Sequence, residues 1–156
     1  MITSKGVPFF CEFGANKLAS IDPATMKIRE YDLPRTESRP RRIAITSDDV
    51  IWYTDYARGY LGRFNAETGE MKEYPSPGGP QAQPYGIAFA KGAVWYSESG
   101  VRPNTLVRFD PTSERFQTWP IPSGGGVVRN MMVDHDGNIV MAESGVDRVA
   151  LVEITE

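Results

Sequence analysis

Cysteine is almost absent from this chain. Cys11 is the only one in 156 residues, so no internal disulfide can form and no zinc pattern exists. The expected state of Cys11 is a buried thiol inside a strand. Histidine is as scarce. His135 stands alone, so any Ser-His-Asp or Cys-His arrangement would have to use it. It lies in Val133-Asp134-His135-Asp136-Gly137-Asn138, where Asp-Gly-Asn is hairpin chemistry, and an idle turn histidine is expected. Asp134 and Asp136 flank it, but their spacing falls short of a calcium loop. Excess positive charge is missing too. A formal net charge of −3 argues against a nucleic-acid binder that works by neutralising phosphates. The cluster Arg39-Pro40-Arg41-Arg42 is local and is offset by nearby acids. No run approaches the roughly 18–20 apolar residues of a membrane span, and the first residues lack the apolar core of a signal peptide. A soluble, cytoplasmic chain without membrane contact is the expectation. No segment shows helical periodicity.

What the chain does have is a repeat. Phe9-Phe10-Cys11-Glu12, Trp52-Tyr53-Thr54-Asp55, Trp95-Tyr96-Ser97-Glu98 and Val140-Met141-Ala142-Glu143 align, and the acid recurs after 43, 43 and 45 residues. Ile21-Asp22-Pro23, Phe64-Asn65-Ala66 and Phe109-Asp110-Pro111 keep the same beat. A period in the low forties, made of short β-like runs, marks propeller blades: four-stranded antiparallel sheets set around an axis. One blade cannot bury its own faces, so blades must stack. With 40% hydrophobic and 11% aromatic residues, the composition is ordinary for a globular protein.

The second repeat shows the blade best. Arg42–Thr46 suits an inner strand, and Ser47-Asp48-Asp49 a turn. Val50–Thr54 is β-branched and aromatic, as a buried strand should be. Tyr60–Phe64 is the third strand. Glu67-Thr68-Gly69-Glu70 closes a hairpin, with Gly69 free to take positive φ. Met71–Tyr74 is outermost, and the proline-rich segment 75–80 is a connector that cannot join a ladder. The third repeat matches, with strands at Tyr85–Phe89, Val94–Ser97, Thr105–Phe109 and Phe116–Ile121. The fold expected is all-β: one repeat array over 1–156, with blade units at about 1–34, 42–77, 85–122 and 128–156, two complete and two partial. The first unit starts at its second strand. The last stops after its third, leaving fourteen strands. The two ends overlap rather than complement each other, so the chain cannot close on itself and reads as half a propeller. A homodimer, two copies forming one ring, would remove the unpaired edges.

Two sets of residues could carry chemistry. The repeated acids Glu12, Asp55, Glu98 and Glu143 should form an arc at one mouth. Held close, they would attract a cation or serve acid–base work. The alternative is that each pairs with an arginine and holds the blades in register. On the inner strands, Arg41-Arg42-Ile43, Tyr85-Gly86-Ile87 and Arg129-Asn130-Met131 are equivalent. Arg41, Arg42 and Arg129 could offer guanidinium groups to an anionic or carbonyl-rich small molecule. Tyr85 could stack or donate a hydrogen bond, and Gly86 leaves space. Neutralising the acidic arc is the competing role.

The motifs also carry a resemblance. Trp52-Tyr53-Thr54-Asp55, Leu61-Gly62-Arg63-Phe64, Glu12–Leu18 with Ile21-Asp22-Pro23, and the connectors at 75–79 and 121–126 resemble the virginiamycin B lyase-like, or streptogramin lyase, family, over about Pro8 to Ile154. The resemblance implies a seven-bladed propeller and a magnesium-dependent C–O lyase, which opens a cyclic depsipeptide by elimination at its ester. A base removes the proton beside the ester carbonyl, and the metal stabilises the enolate. Carried over, it implies Asn130 and Glu143 as catalytic positions and Glu98 and Glu143 as ligands for Mg2+. Arg41, Arg42, Tyr85 and Arg129 would then contact substrate. Relatives tend to read Arg-His-Met where this chain has Arg129-Asn130-Met131. An asparagine amide cannot accept a proton at neutral pH. A non-catalytic propeller, binding a ligand or protein partner at its mouth, is therefore the second expectation.

Overall fold

The computed structural model describes residues 1–155. Its fourteen strands are β1 (Phe9–Glu12), β2 (Lys17–Ile21), β3 (Ile28–Asp32), β4 (Pro40–Ile45), β5 (Ile51–Asp55), β6 (Tyr60–Phe64), β7 (Met71–Pro75), β8 (Pro84–Ala90), β9 (Ala93–Glu98), β10 (Thr105–Asp110), β11 (Arg115–Pro120), β12 (Val128–Val133), β13 (Ile139–Glu143) and β14 (Arg148–Val152). They form four antiparallel sheets of three, four, four and three strands, each in sequence order. No helix occurs among the described residues.

Blade stacking explains the strand compositions. β5 and β9 lie inside their sheets with a blade on either side, and every residue in them is buried. Their sequences, IWYTD and AVWYSE, therefore show no polar alternation. The outer strand β11 is almost wholly exposed and reads RFQTWP. The core is correspondingly three slabs, one at each junction. Phe9, Leu18, Ile51, Tyr53 and Phe64 fill the first. Trp52, Leu61, Tyr74, Tyr96 and Phe109 fill the second. Trp95, Leu106, Met131, Ile139 and Met141 fill the third.

The recurring Asp/Asn after the third strand has a local cause. Asp22, Asn65 and Asp110 each accept the backbone N–H groups two and three residues on, at 2.8–3.2 Å. This Asx turn starts the outer hairpin. The fourth residue on must then turn left-handed: Gly69 does so at φ 77°, and Met26 and Glu114 do so at 58° and 55°. Glycine is the residue that takes this conformation without strain.

The first blade holds more of its inner strand than the sequence suggests. Ile2 bridges Pro8, as Ile45 pairs with Ile51 in the second blade. Thr3 N–H donates to Val7 O, as Thr46 N–H donates to Val50 O, both at 3.0 Å. Met1–Thr3 thus occupies the last positions of an inner strand.

Candidate functional site

All three long inner strands carry a one-residue bulge at the same place. It falls between Pro40 and Ile43, between Pro84 and Ile87, and between Val128 and Asn130. A bulge re-aims the side chains at and beside it. It sits at Arg41-Arg42, Tyr85-Gly86 and Arg129-Asn130. Hydroxyls of the second strands hold it. Thr54 Oγ1 accepts from Arg42 N–H at 3.3 Å and donates to Tyr85 O at 2.8 Å. Ser97 Oγ accepts from Gly86 N–H at 3.2 Å and donates to Val128 O at 3.0 Å. Each hydroxyl ties its own inner strand to that of the next blade.

The inner strands wall a cleft of about 670 Å³. Arg41, Arg42, Arg129 and Asn130 supply its polar groups, and Ile43, Ile45, Ile87, Phe89 and Met131 are among its apolar walls. No carboxylate and no imidazole lies among its lining residues. Four of the residues singled out from sequence therefore come together here. Arg42, Arg129 and Asn130 are exposed, and Arg41 is half-buried.

Arg41 is fixed from several sides. Its Nη2 donates to the Tyr85 hydroxyl at 2.5 Å. Its guanidinium carbon lies 4.5 Å from the Phe13 ring centroid, 4.7 Å from Tyr85 and 6.0 Å from Tyr56. Tyr56 meets Tyr85 edge-on at 5.6 Å. Such faces attract a cation and limit its rotamers. Tyr85 is buried and does not line the cleft; it orients Arg41 from behind. Gly86 does not open space for a ligand either. A Cβ there would stand 3.0 Å from both Val128 O and Met131 Cγ, so its bareness lets the inner strands of blades three and four meet. Phe13 and Tyr56 escaped the sequence reading. Their signal is position: each follows the repeated acid, where the later blades have Ser99 and Ser144.

The acids point elsewhere. Asp55, Glu98 and Glu143 are buried. Asp55 Oδ1 accepts N–H groups of Arg39, Ala57 and Arg58 at 2.9–3.2 Å. Glu98 accepts from Ser76 Oγ at 2.6 Å and Gly78 N–H at 2.7 Å on Oε1, and from Thr105 Oγ1 at 2.5 Å on Oε2. Glu143 Oε2 accepts from Ser123 Oγ at 2.5 Å. None of the three makes an ion pair with an arginine, so that means of holding register is corrected. They grip the incoming connector, whose N–H and hydroxyl donors take the place of a guanidinium. Glu12 is half-buried.

This arrangement does not suit Mg2+. Donor hydrogens already face both oxygens of Glu98 and one of Glu143, and a cation needs those lone pairs. Among the described residues no group of three His, Cys, Asp or Glu could hold a metal. Cys11 lines the cleft, and burial pushes its thiol up to about 12, with Arg42 working weakly against this. His135 is exposed in the β12–β13 turn, beside Asp136 at 3.5 Å, and is not among the residues that line the cleft.

Solved structures share this architecture. A catalytically inactive H270A virginiamycin B lyase from Staphylococcus aureus, with quinupristin, superimposes with a TM-score of 0.82 at 24% identity over 97% of this chain and 53% of that one. A streptogramin B lyase gives 0.84 at 23% identity, over 100% and 54%. Kuenenia stuttgartiensis hydrazine synthase gives 0.82 at 16% identity, over 97% and 44%. The chain thus spans about half the length of the lyases it matches. No curated protein matches it in sequence. The profile of the Virginiamycin B lyase family covers residues 2–156, and the chain belongs to that family.

Proposed function

We propose that this chain is a ligand-holding half of a virginiamycin B lyase-like propeller, which binds a carbonyl-rich or anionic, partly apolar small molecule in the inner-strand cleft without performing the elimination itself. The observation that carries this is the cleft's chemistry. Three guanidinium groups and one amide line it beside apolar walls, and each of these groups carries N–H donors that a ligand oxygen can accept from. Elimination at an ester also needs a base beside the acidic C–H. Asn130, at the inner-strand position of the family's histidine, cannot take that proton. Glu143 is buried and engaged with Ser123.

The test is calorimetric titration with quinupristin, the molecule found with one relative. Binding should weaken at least tenfold in Arg129→Ala and in Arg42→Ala. A charge-assisted hydrogen bond contributes about 1.5–3 kcal/mol, and each 1.4 kcal/mol is tenfold. Equal affinity in all three proteins would refute the assignment.

A second reading, a metal-assisted lyase, draws on the exposure of Asn130 in the cleft. Asn130→His places an imidazole there. If the site is a latent lyase, that variant with Mg2+ should turn quinupristin into an opened product of unchanged mass, since elimination adds no water. No such product would leave the binding reading standing alone.

A further inference from the structure

The acid of the second blade lacks donors that its counterpart in the third blade has, and a pocket opens beside it. Glu98 draws hydroxyl donors from Ser76 and Thr105. By register, Tyr60 stands beside Asp55 where Thr105 stands beside Glu98. Leu33 takes the place of Ser76: its N–H donates to Asn16 O at 3.1 Å, as that of Ser76 donates to Gly59 O at 2.9 Å. With those hydroxyls replaced, Asp55 Oδ2 is buried and has no hydrogen-bond partner. Oδ1 accepts the N–H groups of Arg39, Ala57 and Arg58, and these three residues line a pocket of about 640 Å³ between the first two blades. Two more orphaned oxygens belong to residues of its wall: Ser38 Oγ, on a residue 1% exposed, and Asn16 Oδ1. Buried polar atoms are nearly always paired, so three unpaired oxygens at one junction call for a donor. The next junction shows why space is left here. Asn16 and Gly59 hold the same left-handed turn position, at φ 61° and 72°. A Cβ on Gly59 would stand 2.4 Å from Gly79 O, because the connector packs there. Asn16 carries a side chain at that place, and connector 33–40 is one residue shorter than connector 76–84. Every lining residue lies between Phe13 and Gln81, and none of them lines the inner-strand cleft.

We propose that this pocket binds a small zwitterion of the α-amino acid class, its ammonium on the oxygens of Asp55, Ser38 and Asn16 and its carboxylate on Arg39. An ammonium carries three donors, and three oxygens here lack one. A bare Ca2+ would ask for roughly six to eight oxygens. Arg39 makes no ion pair among the described residues, and its guanidinium carbon lies 5.4 Å from the Phe13 ring centroid. Arg58 is already engaged, donating to Thr36 O at 3.1 Å and lying 3.9 Å from Glu37 Oε2. Glu37 is the one acid of the lining, and its side chain is 87% exposed. Two guanidiniums and two carboxylates, Asp55 and Glu37, thus stand at this junction. That balance suits a ligand carrying both charges and rejects one carrying either alone. The pocket's size is that of an ordinary small-molecule site. The assignment is independent of the ligand reading of the inner-strand cleft.

The test is a titration followed by the backbone amide resonances of the full chain, with glycine, L-alanine, L-serine and L-leucine as separate probes and acetate and ethylamine as half-ligands. At least one amino acid should shift the amides of Asn16, Ser38, Arg39 and Arg58 saturably. Acetate and ethylamine should each bind at least about tenfold more weakly, because each leaves one charged partner unmet. Three variants should fold as the native chain does, and the same spectra report this. Ser38→Ala removes a hydroxyl that has no partner, Asn16→Gly puts glycine at a left-handed position, and Arg39→Gln changes an exposed side chain. Ser38→Ala and Asn16→Gly should each weaken the amino acid several-fold, and Arg39→Gln should reduce it to the affinity of ethylamine. No saturable shift with any of the four amino acids would overturn the proposal. So would acetate or ethylamine binding as tightly as the amino acid, or variants that fold and bind as the native chain does. Shifts confined to Arg42 and Arg129 would send the carboxylate to the inner-strand cleft and overturn it as well.

Discussion

Glu98 offers the most direct way to separate an acidic rim that binds metal from a set of structural latches. The side chain is 1% exposed and accepts three hydrogen bonds. Ser76, one of the donors, is itself buried. Glu98→Ala removes the acceptor for all three. Hydrogen bonds to a charged group contribute about 1.5–3 kcal/mol each, and an orphaned buried donor costs about 1–3 kcal/mol. These terms overlap and part is regained by solvation at the exposed Gly78 end. A net loss of about 3–5 kcal/mol is expected, the range seen when one partner of a buried charged contact is deleted. For a chain of this size about 1 kcal/mol moves Tm by roughly 2–4 °C, so the melting point should fall by roughly 6–20 °C. Glu98→Gln keeps an oxygen for Ser76 and Gly78 and should lose less than half as much. The assay is thermal and urea unfolding followed by the fluorescence of Trp52, Trp95 and Trp119, with and without Mg2+. In a metal-binding rim, deleting one carboxylate would relieve repulsion and raise the metal-free Tm. A Tm equal to or above that of the native chain would refute the latch reasoning.

Gly86→Ala places a methyl 3.0 Å from Val128 O and Met131 Cγ, so unfolding in urea should show a loss of about 1–3 kcal/mol, although the substitution is usually neutral or favourable in a strand. An unchanged midpoint would mean that blades three and four can part at no cost. The Cys11 thiol, pushed up to about 12 by burial, should be alkylated at pH 8 roughly a thousandfold more slowly than a free thiol near 8.5, since only the thiolate reacts. Its rate should still rise tenfold per pH unit between 8 and 10, where an ordinary thiol levels off. A plateau near pH 9 would show that this half-buried thiol titrates as an ordinary one.

Much of this protein was legible in its sequence because a repeat states the same instruction several times. Trp52, Trp95 and Phe9 each lie in the first half of a second strand, and Asp22, Asn65 and Asp110 each start an outer hairpin; both signals act within a few residues of themselves. Strand order follows, since short connectors force neighbours to pair. The strand count and the inner-strand position of Arg41, Arg42 and Arg129 followed at this local level, whereas the inner-strand residues Met1–Thr3 of the first blade did not. The direction in which a side chain points was not. Glu98 ends a second strand and Arg41 starts an inner one, both near the bulge, yet one turns back to hold a connector some twenty residues earlier and the other is caged by Phe13, Tyr56 and Tyr85 from three blades. Those contacts join residues up to 44 apart in the chain, and only the stacking of blades brings them together. The sequence determined which groups exist at the axis; tertiary packing decided that the guanidiniums face the cleft while the carboxylates are spent on connectors, because a buried carboxylate must find donors and the connector N–H and hydroxyl groups are the ones within reach.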